Sequence, residues 1–202
     1  MITRKIRLAI MASGKGSNAE AIIKFSFENN AAFEVVGIIT NNPKAGVVDI
    51  AKKYSIRCEC IPSDGMTNNI ESTISLMQIV ETMGIEMIAL AGYLRMIPNE
   101  LINKFPNKIY NIHPSLLPKY GGKGMYGIHV HKKVIENREQ ISGSSVHIVE
   151  SEYDSGKILC QSLVCVEESE TPTTLSEKIL QTEHIIYPLV LNEQAKQIIC
   201  GL

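Results

Sequence analysis

Short β-branched runs alternate with longer helical stretches through the first half of this chain, and that alternation leaves few folds open. Strand-like runs fall at Ile6–Met11, Phe33–Thr40, Arg57–Ile61, Met87–Ala91 and Lys108–Ile112. Helical patterns lie between them, near Ala19–Asn29, Ala45–Tyr54, Asn68–Met83 and Asn99–Lys104. Strands that are apolar on both faces and separated by helices specify an α/β fold, a Rossmann-like, mostly parallel sheet flanked by helices. The second half changes character. Residues 143–166, GSSVHIVESEYDSGKILCQSLVCV, read as two strands joined through a turn at Asp154-Ser155-Gly156, an antiparallel C-terminal hairpin added to the sheet. A long helix is expected from Pro172 with Thr171 as its cap, and Pro188 is expected to interrupt it. With no repeat, low-complexity stretch or linker, residues 1–202 read as a single domain.

Composition narrows the function classes. Hydrophobic residues make up 45% of the chain, enough for a packed core, so a disordered chain is excluded. A formal net charge of −1 supplies no general basic field for nucleic acid. The cysteines Cys58, Cys60, Cys160, Cys165 and Cys200 are scattered and odd in number, with no CxxC pair. That usage belongs to a reduced cytosolic protein rather than a disulfide scaffold or a zinc module. The N-terminal MITRKIRLAIMASG has too brief an apolar run for a signal peptide, and no segment approaches a membrane span. The expectation is a soluble, cytoplasmic protein with small-molecule substrates and no nucleic-acid or membrane partner, as a monomer or weak homodimer.

MASGKGSNAEAII (Met11–Ile23) reads as a strand end, a tight glycine turn and a helix start. Gly14 and Gly16 tolerate positive φ and close backbone approach, while the first amides of the helix have no intrahelical partner. Such a pocket suits an anion, phosphate above all. Gly14-x-Gly16-x-x-Ala19 fits a relaxed dinucleotide fingerprint, but the second strand ends Ile39-Thr40-Asn41-Asn42 without the acid that would hold a ribose. The P-loop frame is absent, because Gly14-Lys15 is followed by Gly16. A purely structural turn is the bland alternative. A phosphate monoester on a substrate other than a nucleotide fits these residues, with Ser17 and Asn18 helping.

YNIHPSLLPKYGG (Tyr110–Gly122) sets Asn111 and His113 at the carboxyl end of a strand, where open parallel sheets gather their ligands. Two apart, their side chains emerge on one face. Pro114 and Pro118 are expected to keep the exit extended. An amide can donate to a developing oxyanion, and an imidazole can move a proton near neutral pH, so the pair suits carbonyl chemistry. No serine or cysteine sits in a nucleophile motif, so the nucleophile belongs to a substrate. Asp154 is explained equally well by its turn. If the hairpin folds back over the strand ends, its carboxylate reaches His113 and favours the imidazolium.

Taken together, Ser13–Asn18, LAGYLRMIP (Leu90–Pro98), NIHPSLLPKY (Asn111–Tyr120), SSVHIV (Ser144–Val149), Asp154-x-Gly156 and TEHIIYPL (Thr182–Leu189) occur in the order found in the phosphoribosylglycinamide formyltransferase family, which nearly the whole chain resembles. The Asn-x-His-Pro element alone also resembles methionyl-tRNA formyltransferase and formyltetrahydrofolate deformylase, whose additional domains have no counterpart in 202 residues. The resemblance implies transfer of a formyl group from 10-formyltetrahydrofolate, as co-substrate, to the glycyl amine of glycinamide ribonucleotide in purine synthesis, with no metal. It implies that Asn111 binds the formyl oxygen of the folate, that His113 is the general acid, and that Asp154 raises its proton affinity. Gly16, Ser17 and Asn18 would hold the ribonucleotide, and Glu183 its glycinamide part. Leu94, Arg95, Met96 and Ile97 would line the folate pocket, chiefly through backbone groups, with Glu150, Ser151, Glu152, Tyr153 and Asp154 closing it.

Two features depart from some members of that family. The arginine that meets the folate tail has no counterpart near Asn69. Residues 121–131, GGKGMYGIHVH, are longer and are read as a flexible loop near the substrates. His129 and His131 could in principle chelate a metal with His113, but no carboxylate or thiol completes an obvious set, and a positioning role in the loop is the better reading. A formyltetrahydrofolate hydrolase and a catalytically silent phosphate-ligand module are the alternatives.

Overall fold

A computed structural model describes residues 4–61 and 70–201. Strands β1 (Ile6–Met11), β2 (Phe33–Thr40), β3 (Cys58–Cys60), β4 (Met87–Leu90), β5 (Ile109–His113), β6 (Ile141–Ile148) and β7 (Ile158–Cys165) form one sheet in the order β3-β2-β1-β4-β5-β6-β7. The first five are parallel, while the β5–β6 and β6–β7 pairs are antiparallel. The hairpin therefore extends the sheet, as its sequence predicts.

Period-two alternation divides β1 between two cores. Ile6, Leu8 and Ile10 pack with Ile22 and Ile23 of α1 (Ser17–Ser26) and with Tyr187 and Leu191 of α6 (Pro172–Cys200). Ala9 and Met11 face Leu76 and Val80 of α3 (Ile70–Thr82) and Leu101 of α4 (Asn99–Lys104). Each large aliphatic side chain so buried contributes about 1.5–3 kcal/mol, which is why these strands tolerate no polar face. The onset expected for α3 at Asn68, and the position beside Asn69, lie outside the described residues. The remaining helices are α2 (Val47–Lys53) and α5 (Ile128–Glu136).

β1 has β2 on one side and β4 on the other, so the chain's connections leave it in opposite directions. A crevice opens beyond the carboxyl ends of strands at such a switch point. The glycine loop after β1 and the turn after β4 form its two lips.

Three expectations change. Helix α6 does not stop at Pro188 but runs through it. Proline cannot donate to the carbonyl of His184, yet Tyr187, Leu191 and Ala195 are fully buried on either side of it, and that packing holds the helix on course. The Tyr187 hydroxyl lies 3.0 Å from the Leu90 carbonyl at the end of β4 and 2.9 Å from the Tyr110 carbonyl within β5. Residues 121–131 are not loop throughout, because α5 begins at Ile128. The chain beyond His113 is not extended either. The Lys119 amide donates to the Leu116 carbonyl (3.1 Å) and the Ser115 hydroxyl to the Lys119 carbonyl (2.6 Å), so the segment turns back toward β5.

Candidate active site

The glycine loop is shaped by one residue. Gly16 caps α1 at φ 83°, and a Cβ there would lie 2.9 Å from the Cα and Cβ of Val47, so only glycine fits. No side chain caps the helix, and its first amides open toward the crevice as an anion-attracting end. Ser13 ties this loop to its surroundings. Its hydroxyl donates to Asn41 Oδ1 (2.6 Å) and accepts from the Leu94 amide (3.1 Å), and its own amide donates to the Gly92 carbonyl (3.1 Å). Ser13 is thus the brace between the two lips, and Asn41, where a dinucleotide enzyme would carry an acid, orients its hydroxyl.

Asn18, on the first turn of α1, donates from Nδ2 to Glu183 Oε2 at 2.7 Å. Glu183 is buried on α6, and burial pushes its carboxyl up to about 7 although the bond from Asn18 works in the opposite direction. An ionisable acid is therefore poised near neutrality beside the anion-attracting helix end.

Asn111 and His113 share a face of β5, as the strand period requires. Opposite Asn111 in the antiparallel register stands His147 of β6. His147 Nδ1 lies 2.9 Å from the Ile148 carbonyl, which can only accept, so Nδ1 carries a proton. Nε2 lies 3.1 Å from Asn111 Nδ2 and accepts from it when the ring is neutral; when the ring is protonated Nε2 donates toward Asp154. That contact sets the Asn111 amide, turning its nitrogen rather than its oxygen toward His147. The sequence contains this signal only as the histidine of SSVHIV; its partner depends on the strand register.

The same reasoning fixes His113. Nε2 lies 2.7 Å from the Tyr120 carbonyl and must donate to it. The mobile proton thus belongs to Nδ1, which faces Asp154 Oδ2 at 3.5 Å. The 149–157 connection folds back across the sheet face to bring Asp154 there, where its Oδ2 also accepts from the Gly122 amide (2.9 Å) and its Oδ1 lies 3.5 Å from His147 Nε2. Burial alone would raise the Asp154 pKa; the contacts with His147, His113 and Gly122 together hold it below the ordinary aspartate value. Burial is also the larger influence on His113 and pulls its pKa below 6.5, outweighing the raising effect of Asp154 and of the Tyr120 carbonyl. Asp154 does act in the expected direction, but the resting imidazole is neutral at pH 7.

These groups line one cleft of about 590 Å³ that also takes in Gly14, Asn18 and Glu183. Leu94, Arg95, Met96 and Ile97 form one wall, and Glu150, Ser151, Glu152, Tyr153 and Asp154 another. Leu94, Met96 and Tyr153 are exposed at its mouth, an apolar surface suited to a flat ring. Gly16 and Ser17 shape the helix start without lining the cleft.

His129 and His131 diverge, since positions i and i+2 on a helix do not share a face. His129 is exposed with its ring edge-on to Tyr126, while His131 is buried against the cleft with Nδ1 lacking a partner among the described residues. Burial, helped by His113, pushes the His131 pKa down to about 4. Among the described residues no group of three or more His, Cys, Asp or Glu side chains is arranged to hold a metal ion, and no helix is long and apolar enough to cross a membrane.

A family profile described as "Formyl transferase" matches residues 6–191. The chain is 40% identical over 190 residues to the chloroplastic phosphoribosylglycinamide formyltransferase of Arabidopsis thaliana, covering 91% of this chain and 63% of that protein, less than two thirds of its length. It is 31% identical over 187 residues to the phosphoribosylglycinamide formyltransferase of Bacillus subtilis, covering 93% of each. The crystal structure of glycinamide ribonucleotide transformylase 1 from Symbiobacterium toebii superposes with a TM-score of 0.88 at 29% identity, covering 95% of this chain and 88% of that one.

Proposed function

Because the chain belongs to the formyl transferase family, we propose that it transfers the formyl group of 10-formyltetrahydrofolate to the glycyl amine of glycinamide ribonucleotide, as a single formyltransferase domain acting on small molecules in the cytoplasm, as a monomer or weak homodimer. The observation that carries this reading is the convergence of Asn111, His113 and Asp154 in the cleft that also takes in Gly14, Asn18 and Glu183.

The ribonucleotide phosphate meets the open amides of α1 around Gly16, Ser17 and Asn18. Glu183 receives the glycinamide end, its carboxylate accepting from the N–H groups of the neutral amine. The folate ring enters between Leu94–Ile97 and Glu150–Asp154. Held together, the amine and the formyl carbon react as neighbours rather than as solutes. As the new C–N bond forms, Asn111 Nδ2–H donates to the oxygen on which negative charge develops. The bond from carbon to the folate nitrogen then breaks. Overall one proton leaves the attacking amine and one reaches the departing nitrogen. His113 Nδ1 relays it, with Asp154 stabilising the transient imidazolium.

Purified protein mixed with both substrates, followed by folate absorbance, tests this. Transfer that requires the ribonucleotide is expected. No transfer at any substrate concentration would overturn the reading, and formate release that ignores added ribonucleotide would select a hydrolase.

A further inference from the structure

One short segment grips both members of the proton relay. The Tyr120 carbonyl accepts from His113, and the Gly122 amide donates to Asp154. The next residue, Lys123, is exposed, lines the cleft and makes no ion pair or hydrogen bond among the described residues. It sits between two left-handed glycines, Gly122 (φ 92°) and Gly124 (φ 86°), a backbone that L side chains rarely adopt, with open space where either would carry a Cβ.

Packing indicates which part of the cleft it serves. Tyr120 packs against the cluster formed by Val134 of α5 with Leu175 and Ile179 of α6. Their neighbours Ser176 and Leu180 line the cleft, and Glu183, one turn further, is bonded to Asn18 at the head of α1. That wall presents two uncharged side chains and an acid. Arg95, the other Lys or Arg of the lining, belongs to the turn after β4. Lys15 stands in the glycine loop but does not line the cleft, and Arg95 is already engaged, so Lys123 is the uncommitted cation of this lining among the described residues, and an ammonium in a partly enclosed cleft interacts more strongly than one in open water.

We propose that Lys123 is the cationic ligand of the substrate's phosphate monoester. This deepens the functional reading above and rests on it. Because Lys123 continues directly from Tyr120 and Gly122, its engagement by phosphate also steadies the segment that grips His113 and Asp154, so ribonucleotide binding and proton relay are linked through the backbone.

Calorimetric binding of glycinamide ribonucleotide, of its dephosphorylated ribonucleoside and of inorganic phosphate, compared among wild type, Lys123→Ala, Lys123→Gln and Lys123→Arg, tests this. Loss of one charge-assisted contact is expected to weaken ribonucleotide binding about tenfold in the alanine and glutamine variants, with arginine restoring most of it. The difference should vanish for the ribonucleoside, and the KM for the folate should not follow it. Equal ribonucleotide affinity in folded variants, a deficit that persists without the phosphate, or a loss confined to the folate KM would each overturn the assignment. Should the wild type bind no ribonucleotide at all, the functional reading itself fails. Inorganic phosphate then decides Lys123 separately: weaker binding in the alanine variant supports it, and equal binding removes it.

Discussion

Asp154 Oδ2 stands 3.5 Å from His113 Nδ1, yet the imidazole is held below its ordinary pKa because burial outweighs the neighbouring charge. Asp154→Asn removes an influence that raises the His113 pKa, so its NMR titration midpoint should move further down. An unchanged or raised midpoint would refute the coupling. Turnover should fall by about 10²–10⁴, the usual worth of positioned proton transfer. The stability consequence has a definite sign. Unfolded histidine takes its proton near 6.5 and folded His113 only at lower pH, so this group destabilises the fold as pH falls below 6.5.

Asn111→Ala should lower kcat by about 10²–10³, as expected for losing an oxyanion donor, with ribonucleotide affinity intact. Weakened binding and unchanged kcat would instead make Asn111 a ground-state contact.

His147 contacts Asn111 and is expected to act through it. His147→Ala should reduce kcat, and the Asn111→Ala/His147→Ala double variant should lose little beyond the Asn111 single variant. Additive losses would give His147 an independent role, through its 3.5 Å approach to Asp154.

Glu183 titrates near 7 in the fold and near 4.5 when unfolded. The folded state keeps its proton through that window while the unfolded chain loses it, so the wild type loses stability from pH 4.5 to 7 and levels off above. Glu183→Gln lacks the effect and should gain on the wild type across the window, by on the order of 3 kcal/mol at its upper end. Denaturant midpoints at pH 4.5, 6 and 8 measure this; a pH-independent difference would contradict the buried acid.

Gly16→Ala forces a left-handed alanine whose Cβ meets Val47 at 2.9 Å. A loss of about 1–3 kcal/mol is expected in chemical denaturation. A neutral result would mean that the loop relaxes without cost, and would detach ribonucleotide affinity from its geometry.

The parts of this protein legible in its sequence are those set by local rules. β1 and β2 can be read because both of their faces are apolar, and the Thr171 cap because its side chain serves its own helix, with Thr174 completing the capping box. Asn111 and His113 can be paired from the strand period alone. What stayed hidden depends on distant packing. His147 meets Asn111 only through the β5–β6 register. The approach of Asp154 to His113 can be framed as a charge pair, but the burial that reverses its net outcome comes from elements far apart in the chain. Pro188 is misjudged for the same reason, since the sequence shows the missing amide but not the anchors on either side.

The contact between Tyr187 and the carbonyls of Leu90 and Tyr110 has a consequence for biogenesis. Helix α6 follows every strand in chain order, yet it contributes Glu183 to the cleft wall and the hydroxyl that engages carbonyls of β4 and β5. A nascent or refolding chain whose sheet has formed without α6 lacks both. Ligand affinity in such a chain is therefore expected to await the docking of this helix.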